Sequence, residues 1–162
     1  LAGLETAPEG LWPSWGDPRV DAIVPLAPDM FYFGTDSLKH VTVPPMIMAG
    51  SKDVSQRSDL PTYKPYLYDN LGSTLNAWVL FEYSDHGIFY DTCDAAPWHI
   101  DWDLFWVCSD PIWDMERAHD LVNHFTSAFL TGVLTENQFA HTILVPSKVD
   151  FRGIAYEAEG FE

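Results

Sequence analysis

Two apolar runs, each ending in a polar loop, constrain the fold of this chain most. The first run covers residues 43–50 and leads into Asp53, and the second covers residues 78–81, within a strand predicted at residues 77–83, and leads into His86. Short apolar runs of this kind are typical of strands that are buried on both faces of a parallel sheet. The carboxyl ends of such strands meet at the edge where open α/β folds place their chemistry. The sequence therefore predicts an α/β fold with Asp53 and His86 at one edge of the sheet.

The other elements predicted from the sequence fit the same architecture. An apolar segment at residues 20–28 predicts a first strand, residues 59–70 predict a helix, and residues 135–162 are expected to form a turn, a short helix and an irregular ending. Strands separated by crossover lengths favour parallel pairing, so we expect three parallel strands with flanking helices. A long amphipathic helix is predicted at residues 114–134, and its apolar side chains lie at helical spacing on one face: Ala118, Leu121, Val122, Phe125, Phe129 and Val133.

Length and charge exclude several classes of protein. The 162 residues correspond to one domain, and a hydrophobic content of 47% is typical of globular proteins. The net charge of −16 disfavours nucleic acid and anionic membrane surfaces as partners. No apolar run reaches the roughly 20 residues that span a bilayer. Because the sequence begins at Leu1 rather than at methionine, we expect a processed or truncated chain.

The two cysteines, Cys93 and Cys108, predict a disulfide. Closing this loop is worth about 3 kcal/mol in the chain-entropy estimate. It also implies an oxidising compartment, so a secreted or periplasmic location is expected. Two free buried thiols, or a metal site that includes His99, are the alternatives, although the spacing fits no common zinc pattern. Asp101 and Asp103 beside His99 suit calcium, but a solvated acidic loop is the simpler interpretation, and no metal site is predicted.

Residues 87–113 form a tryptophan-rich, acidic stretch without a clean period. Segments of this length in compact domains tend to be lids or binding loops. Trp98, Trp102 and Trp106 in this lid-like loop are therefore candidate walls of a substrate pocket. Phe31 and Tyr32 lie just beyond the first predicted strand and are further candidates, with packing in the core as the alternative.

Asp53 and His86 have the chemistry of an acid and base pair. A carboxylate that fixes the tautomer of a histidine and stabilises its imidazolium makes that histidine a general base. The alternative is a structural aspartate and a solvent-exposed histidine. In α/β-hydrolases the nucleophile precedes both residues and lies in a Gly-x-Ser-x-Gly turn. The sequence lacks this motif, because neither Ser14 nor Ser51 has a glycine both two residues before it and two residues after it.

Several segments together carry a resemblance to a known family. They are Asp17-Pro18-Arg19-Val20, Leu26-Ala27-Pro28, residues 43–53, Ser84-Asp85-His86, Cys108-Ser109-Asp110-Pro111 and residues 117–125. This pattern resembles the carboxyl-terminal half of the dienelactone-hydrolase-like and platelet-activating-factor-acetylhydrolase-like α/β-hydrolases, and the last two segments are similar to a bacterial branch. The resemblance covers residues 17–134. It implies the last three strands of the hydrolase sheet, with Asp53 as triad acid and His86 as triad base.

The resemblance implies that residues 1–162 are the carboxyl-terminal portion of a single α/β-hydrolase domain. A separate amino-terminal chain would complete the sheet and supply the nucleophile and the oxyanion hole. The implied activity is serine-type hydrolysis of carboxylic esters with apolar groups, without a cofactor. A thiol nucleophile on the companion chain is one alternative. The other is a non-catalytic secreted binding module on a degenerate hydrolase fold, with tryptophans that stack on sugars or lipids.

Overall fold

A mixed three-stranded sheet lies at the centre of the structure, a computed structural model that describes residues 17–29, 34–53, 64 and 66–162. Strand β1 (Met46–Gly50) pairs parallel with β2 (Asn76–Phe81), and β3 (Ile154–Glu159) pairs antiparallel with β2. The spatial order is β1, β2, β3. A sheet with flanking helices agrees with the predicted α/β class. Two of the three predicted strands are present as β1 and β2 and pair in parallel, and the antiparallel β3, which was not predicted, makes the sheet mixed.

Short helices and one long helix surround the sheet. The α-helices are α1 (Thr35–Leu38), α2 (Trp98–Asp101), α3 (Met115–Thr135, the long helix) and α4 (Gln138–Ile143), and the 3-10 turns are Tyr68–Asn70, His86–Phe89, Phe105–Val107 and Pro146–Lys148. In the part of the chain that the structure describes, no helix is long and apolar enough to cross a membrane.

Strands β1 and β2 are buried on both faces, because their side chains alternate between two apolar clusters. The cluster on one face contains Met46, Met48, Ala77, Val79 and Phe81, together with Ala118, Leu121, Phe125, Ala128 and Phe129 of the long helix. The cluster on the other face contains Ile47, Ala49 and Trp78, together with Leu38, Leu67 and Tyr68. The continuous apolar runs in the sequence are explained by this two-sided burial.

The long helix confirms the sequence prediction within one residue at each end. Asp114 precedes its first turn, and the Asp114 carboxylate accepts a hydrogen bond from the Arg117 N–H at 2.8 Å. This cap satisfies a backbone donor that has no partner within the helix. The helix ends at Thr135, and the next residue, Glu136, adopts a left-handed conformation with φ of 53°. The predicted apolar face is the face that packs on the sheet.

The first predicted strand, residues 20–28, forms two isolated bridges instead of a continuous strand, one to β1 and one to the residue before it. Ile23 bridges to Pro45 and Leu26 bridges to Met48, both parallel. The Pro25 carbonyl accepts from the Met48 N–H at 3.0 Å, but proline has no N–H to donate to the neighbouring strand. The ladder is therefore interrupted at Pro25.

Strand β3 corrects the prediction of an irregular ending. Its apolar residues Ile154, Tyr156 and Ala158 pack against the cluster that includes the long helix. Glu157 and Glu159 alternate with them on the exposed side. The Tyr156 hydroxyl donates to the Leu144 carbonyl at 2.8 Å, and burial raises the pKa of this hydroxyl. The sequence does alternate apolar and polar residues here, but none of the strand residues is fully buried, so the alternation is only a weak signal of a strand.

Some predicted features lie outside the described residues. Phe31 and Tyr32 are among them, and so is most of the predicted helix at residues 59–70. Its described end is helical at residues 66–67 and continues as the 3-10 turn Tyr68–Asn70.

Replacing Phe125 by alanine should strongly destabilise the fold. Phe125 is 0% exposed between the long helix and the sheet, whereas Phe139 on α4 is 76% exposed. Phe125→Ala is expected to lower the free energy of unfolding by about 3–5 kcal/mol. The matched control Phe139→Ala should change it by less than about 0.5 kcal/mol. Urea denaturation followed by circular dichroism measures both, and equal losses would contradict the placement of the core.

Candidate active site

The structure brings Asp53 and His86 into direct contact. Oδ2 of Asp53 lies 2.7 Å from Nδ1 of His86. The Asp53 side chain is 1% exposed and the His86 side chain is 28% exposed. A carboxylate accepts hydrogen bonds, so this contact assigns the proton to Nδ1 and leaves Nε2 as the acceptor nitrogen of the neutral ring. That tautomer is the one required of a general base.

The loop that carries Asp53 is fixed by the neighbouring strand. The Ser51 N–H donates to the Phe81 carbonyl at 3.0 Å, and the Lys52 N–H donates to the Ser84 carbonyl at 2.8 Å. Gly50 allows this approach, because a Cβ there would lie 2.7 Å from the Ser84 carbonyl oxygen. The two loops after β1 and β2 are thus joined by their backbones before either functional side chain is reached.

Ser51 has a structural role in this arrangement. Its hydroxyl oxygen accepts a hydrogen bond from the Tyr83 N–H at 2.7 Å. Tyr83 has φ of 63°, an uncommon left-handed conformation for a non-glycine residue. The Ser51 contact helps to hold that conformation where the chain leaves β2.

The His86 loop begins with a short capped turn. The Asp85 carboxylate accepts a hydrogen bond from the His86 N–H at 2.7 Å, and His86–Phe89 form a 3-10 turn. Gly87 packs tightly against the lid-like loop, because a Cβ there would lie 2.7 Å from the Trp106 carbonyl oxygen and 3.0 Å from that of Ser109. The position of the imidazole therefore depends on the backbone of residues 106–109.

Tyr90 is a neighbour of the site that sequence reasoning missed. Its hydroxyl lies 3.1 Å from Nε2 of His86, and the two ring centroids are 5.2 Å apart. With the proton on Nδ1, the Tyr90 hydroxyl donates to Nε2. The sequence signal for this contact was the spacing of four residues between His86 and Tyr90, because the turn that begins at His86 brings the two side chains together. Tyr90 is 45% exposed, so this side of the imidazole faces the surface.

Cys93 and Cys108 form a disulfide, as predicted. The free-thiol alternative and the metal site built on these two thiols are therefore wrong. His99 is buried and contacts Trp98 in a tilted arrangement, with ring centroids 3.6 Å apart and ring planes 39° apart. Among the residues that the structure describes, no group of three or more His, Cys, Asp or Glu side chains is arranged to hold a metal ion.

The tryptophans of the lid-like loop are exposed. Trp98 is 47%, Trp102 69% and Trp106 68% exposed. Trp98 and Trp102 contact each other edge to face at 5.2 Å between centroids. The backbone of Trp106 contacts the residue after His86, so the loop adjoins the candidate site. Their role as pocket walls remains a prediction.

Comparison with known proteins gives no assignment for the chain. No family model matches the sequence. A comparison with curated proteins gives no significant match.

Removing the disulfide should destabilise the protein without altering its fold. The cystine joins positions that are 15 residues apart. The double variant Cys93→Ala/Cys108→Ala is expected to lose about 3 kcal/mol of unfolding free energy. Dithiothreitol should produce a similar loss in the wild type and no further loss in the variant. A wild type whose urea midpoint is unaffected by reduction would show that the crosslink contributes nothing.

Proposed function

We propose that Asp53 and His86 are the acid and base of a serine-type carboxylic ester hydrolase with an α/β-hydrolase fold. The nucleophile and oxyanion hole belong to an amino-terminal chain that completes the sheet. The observation that carries this proposal is the 2.7 Å contact between the buried Asp53 carboxylate and Nδ1 of His86. That contact directs Nε2 away from the core, where it can exchange a proton with a hydroxyl group.

The proposed reaction follows from this geometry. Nε2 of His86 accepts the proton of the nucleophilic hydroxyl as that oxygen attacks the ester carbonyl. The imidazolium then returns the proton to the departing alcohol, and a water molecule repeats the sequence to release the acid. Asp53 stabilises the imidazolium from the buried side and keeps the ring oriented. Tyr90 must give up its contact with Nε2 when the nucleophile approaches.

The position of the pair in the sheet supports a hydrolase. Asp53 and His86 follow the carboxyl ends of two adjacent parallel strands, where open α/β folds place their ligands. The order of acid before base along the chain is that of the α/β-hydrolases. Residues 20–28 add a further parallel segment beside β1. Within the described residues this segment lies at the end of the sheet opposite β3, and strands of the amino-terminal chain would continue from there.

The lid-like loop indicates the kind of substrate, and the disulfide indicates the compartment in which the protein works. Exposed tryptophans in the loop that adjoins the candidate site favour an ester with an apolar acyl or alkyl group. A disulfide that anchors this loop favours an oxidising compartment, so we place the protein in the secreted or periplasmic class.

Labelling and mutagenesis test the enzyme directly. A fluorophosphonate should label the companion chain in the assembled protein, and His86→Ala should abolish both labelling and aryl-ester turnover. Asp53→Asn should reduce kcat on the order of 10³- to 10⁴-fold, because the amide no longer enforces the Nδ1–H tautomer. His40→Ala is the control, since His40 is exposed near α1, outside the site. Near-normal turnover by His86→Ala would sink the proposal.

A second candidate function is a binding module that has lost its chemistry. The observation that favours it is the exposure of Trp98, Trp102 and Trp106. Intact-mass measurement under denaturing conditions first establishes whether a companion chain is present. A companion chain that fluorophosphonate does not label supports the module. Iodoacetamide sensitivity of that chain instead indicates a thiol nucleophile.

A further inference from the structure

The carboxylate of Asp110 bridges two backbone segments that meet beside the candidate site. Its Oδ2 accepts a hydrogen bond from the Asp85 N–H at 2.8 Å. Its Oδ1 accepts from the Ile112 N–H and the Trp113 N–H, each at 2.8 Å. One side chain therefore receives three backbone donors, one from the residue before His86 and two from the residues that lead into the long helix.

We propose that Asp110 is a positioning residue for His86, holding the backbone at Asp85 against the start of the long helix. This inference rests on the proposed function, because it assigns Asp110 a role in keeping the base in register with Asp53. Asp110 acts through the backbone and has no role in the proton transfer itself.

Three other contacts make the same junction rigid. The Trp113 indole N–H donates to the Glu82 carbonyl at 2.8 Å, which ties the residue after β2 to one of the backbone donors of Asp110. Gly87 packs against the carbonyls of Trp106 and Ser109 on the other side of His86. His86 is thus held between two points of attachment to residues 106–113. Asp110 supplies the charged member of this set, and hydrogen bonds to an ionised group are the stronger kind.

Loss of the carboxylate removes one of these attachments and leaves its donors without their acceptor. The segment from Asp85 to His86 can then shift relative to the loop that carries Asp53. A displacement of about 1 Å at a reacting group is enough to reduce turnover on the order of 100-fold. The substrate-binding surface is not directly changed, so the loss should be in kcat rather than in KM.

The variants are Asp110→Ala, Asp110→Asn and the matched control Asp114→Ala. An asparagine has one acceptor oxygen, so it can serve either Asp85 or the Ile112 and Trp113 pair, but not both. Asp114 is a carboxylate in the same short segment that also accepts a backbone N–H at 2.8 Å, from Arg117 inside the long helix. Its removal weakens the helix start and leaves the Asp85 bridge intact.

Two readouts are measured in the assembled protein: kcat and KM for an aryl ester, and the tautomer of His86 from long-range ¹H–¹⁵N spectra of the imidazole. Asp110→Ala should lower kcat on the order of 10- to 100-fold, with KM nearly unchanged, and should convert the single Nδ1–H tautomer into a mixture. Asp110→Asn should fall between wild type and alanine. Asp114→Ala should lose thermal stability and keep the wild-type kcat and tautomer.

The proposal is overturned if Asp110→Ala retains the wild-type tautomer of His86, or if Asp114→Ala shows the same loss of kcat. The tautomer does not depend on turnover. If the wild type and His86→Ala are equally inactive, the esterase assignment fails, and the spectra still decide whether Asp110 holds the ring in place.

Discussion

The two-sided burial of β1 and β2 is the constraint on which the site depends. The apolar side chains along these strands belong to two different clusters, so a slip of one residue would exchange the faces and disrupt the packing of both clusters. The register is thereby fixed, with Gly50 opposite Phe81. Both loops then leave the sheet at the same level, and their backbone hydrogen bonds form next to the strand ends. The 2.7 Å contact between Asp53 and His86 follows because the two loops begin side by side at the ends of β1 and β2.

Burial of the Asp53 carboxylate makes its partners indispensable. A buried ionised group is costly unless hydrogen bonds and an opposite charge compensate for lost water. The imidazole of His86 supplies one such bond from its buried nitrogen, while the ring remains partly exposed on the other side. The pair therefore has a buried side, which fixes the orientation of the imidazole, and a partly exposed side, which can exchange protons. This asymmetry is what distinguishes it from an ion pair on the surface.

Much of this arrangement could be predicted from the sequence, and the exceptions share a cause. Apolar runs predicted β1 and β2, the helical period predicted the long helix, and strand-end placement predicted that Asp53 and His86 would meet. Strand β3 was missed because its exposed glutamates dilute a short apolar pattern. Asp110 was missed because a side chain that binds the backbone of a residue 25 positions away leaves no period in the sequence. Periodicity reports which face is buried, whereas the partner of each N–H depends on how loops pack.

The two edges of the sheet have different chemistry, and this gives the sheet a direction of growth. At one edge, β3 presents Glu157 and Glu159, and Lys64 lies 2.7 Å from the Glu157 carboxylate. Another strand could pair there only by stripping water from these charges, which is how natural sheets discourage unwanted pairing. Fibril elongation needs two compatible edges. Within the described residues, pairing is disfavoured at the β3 edge, and growth from the side of residues 20–28 alone would let the sheet accept a partner without polymerising.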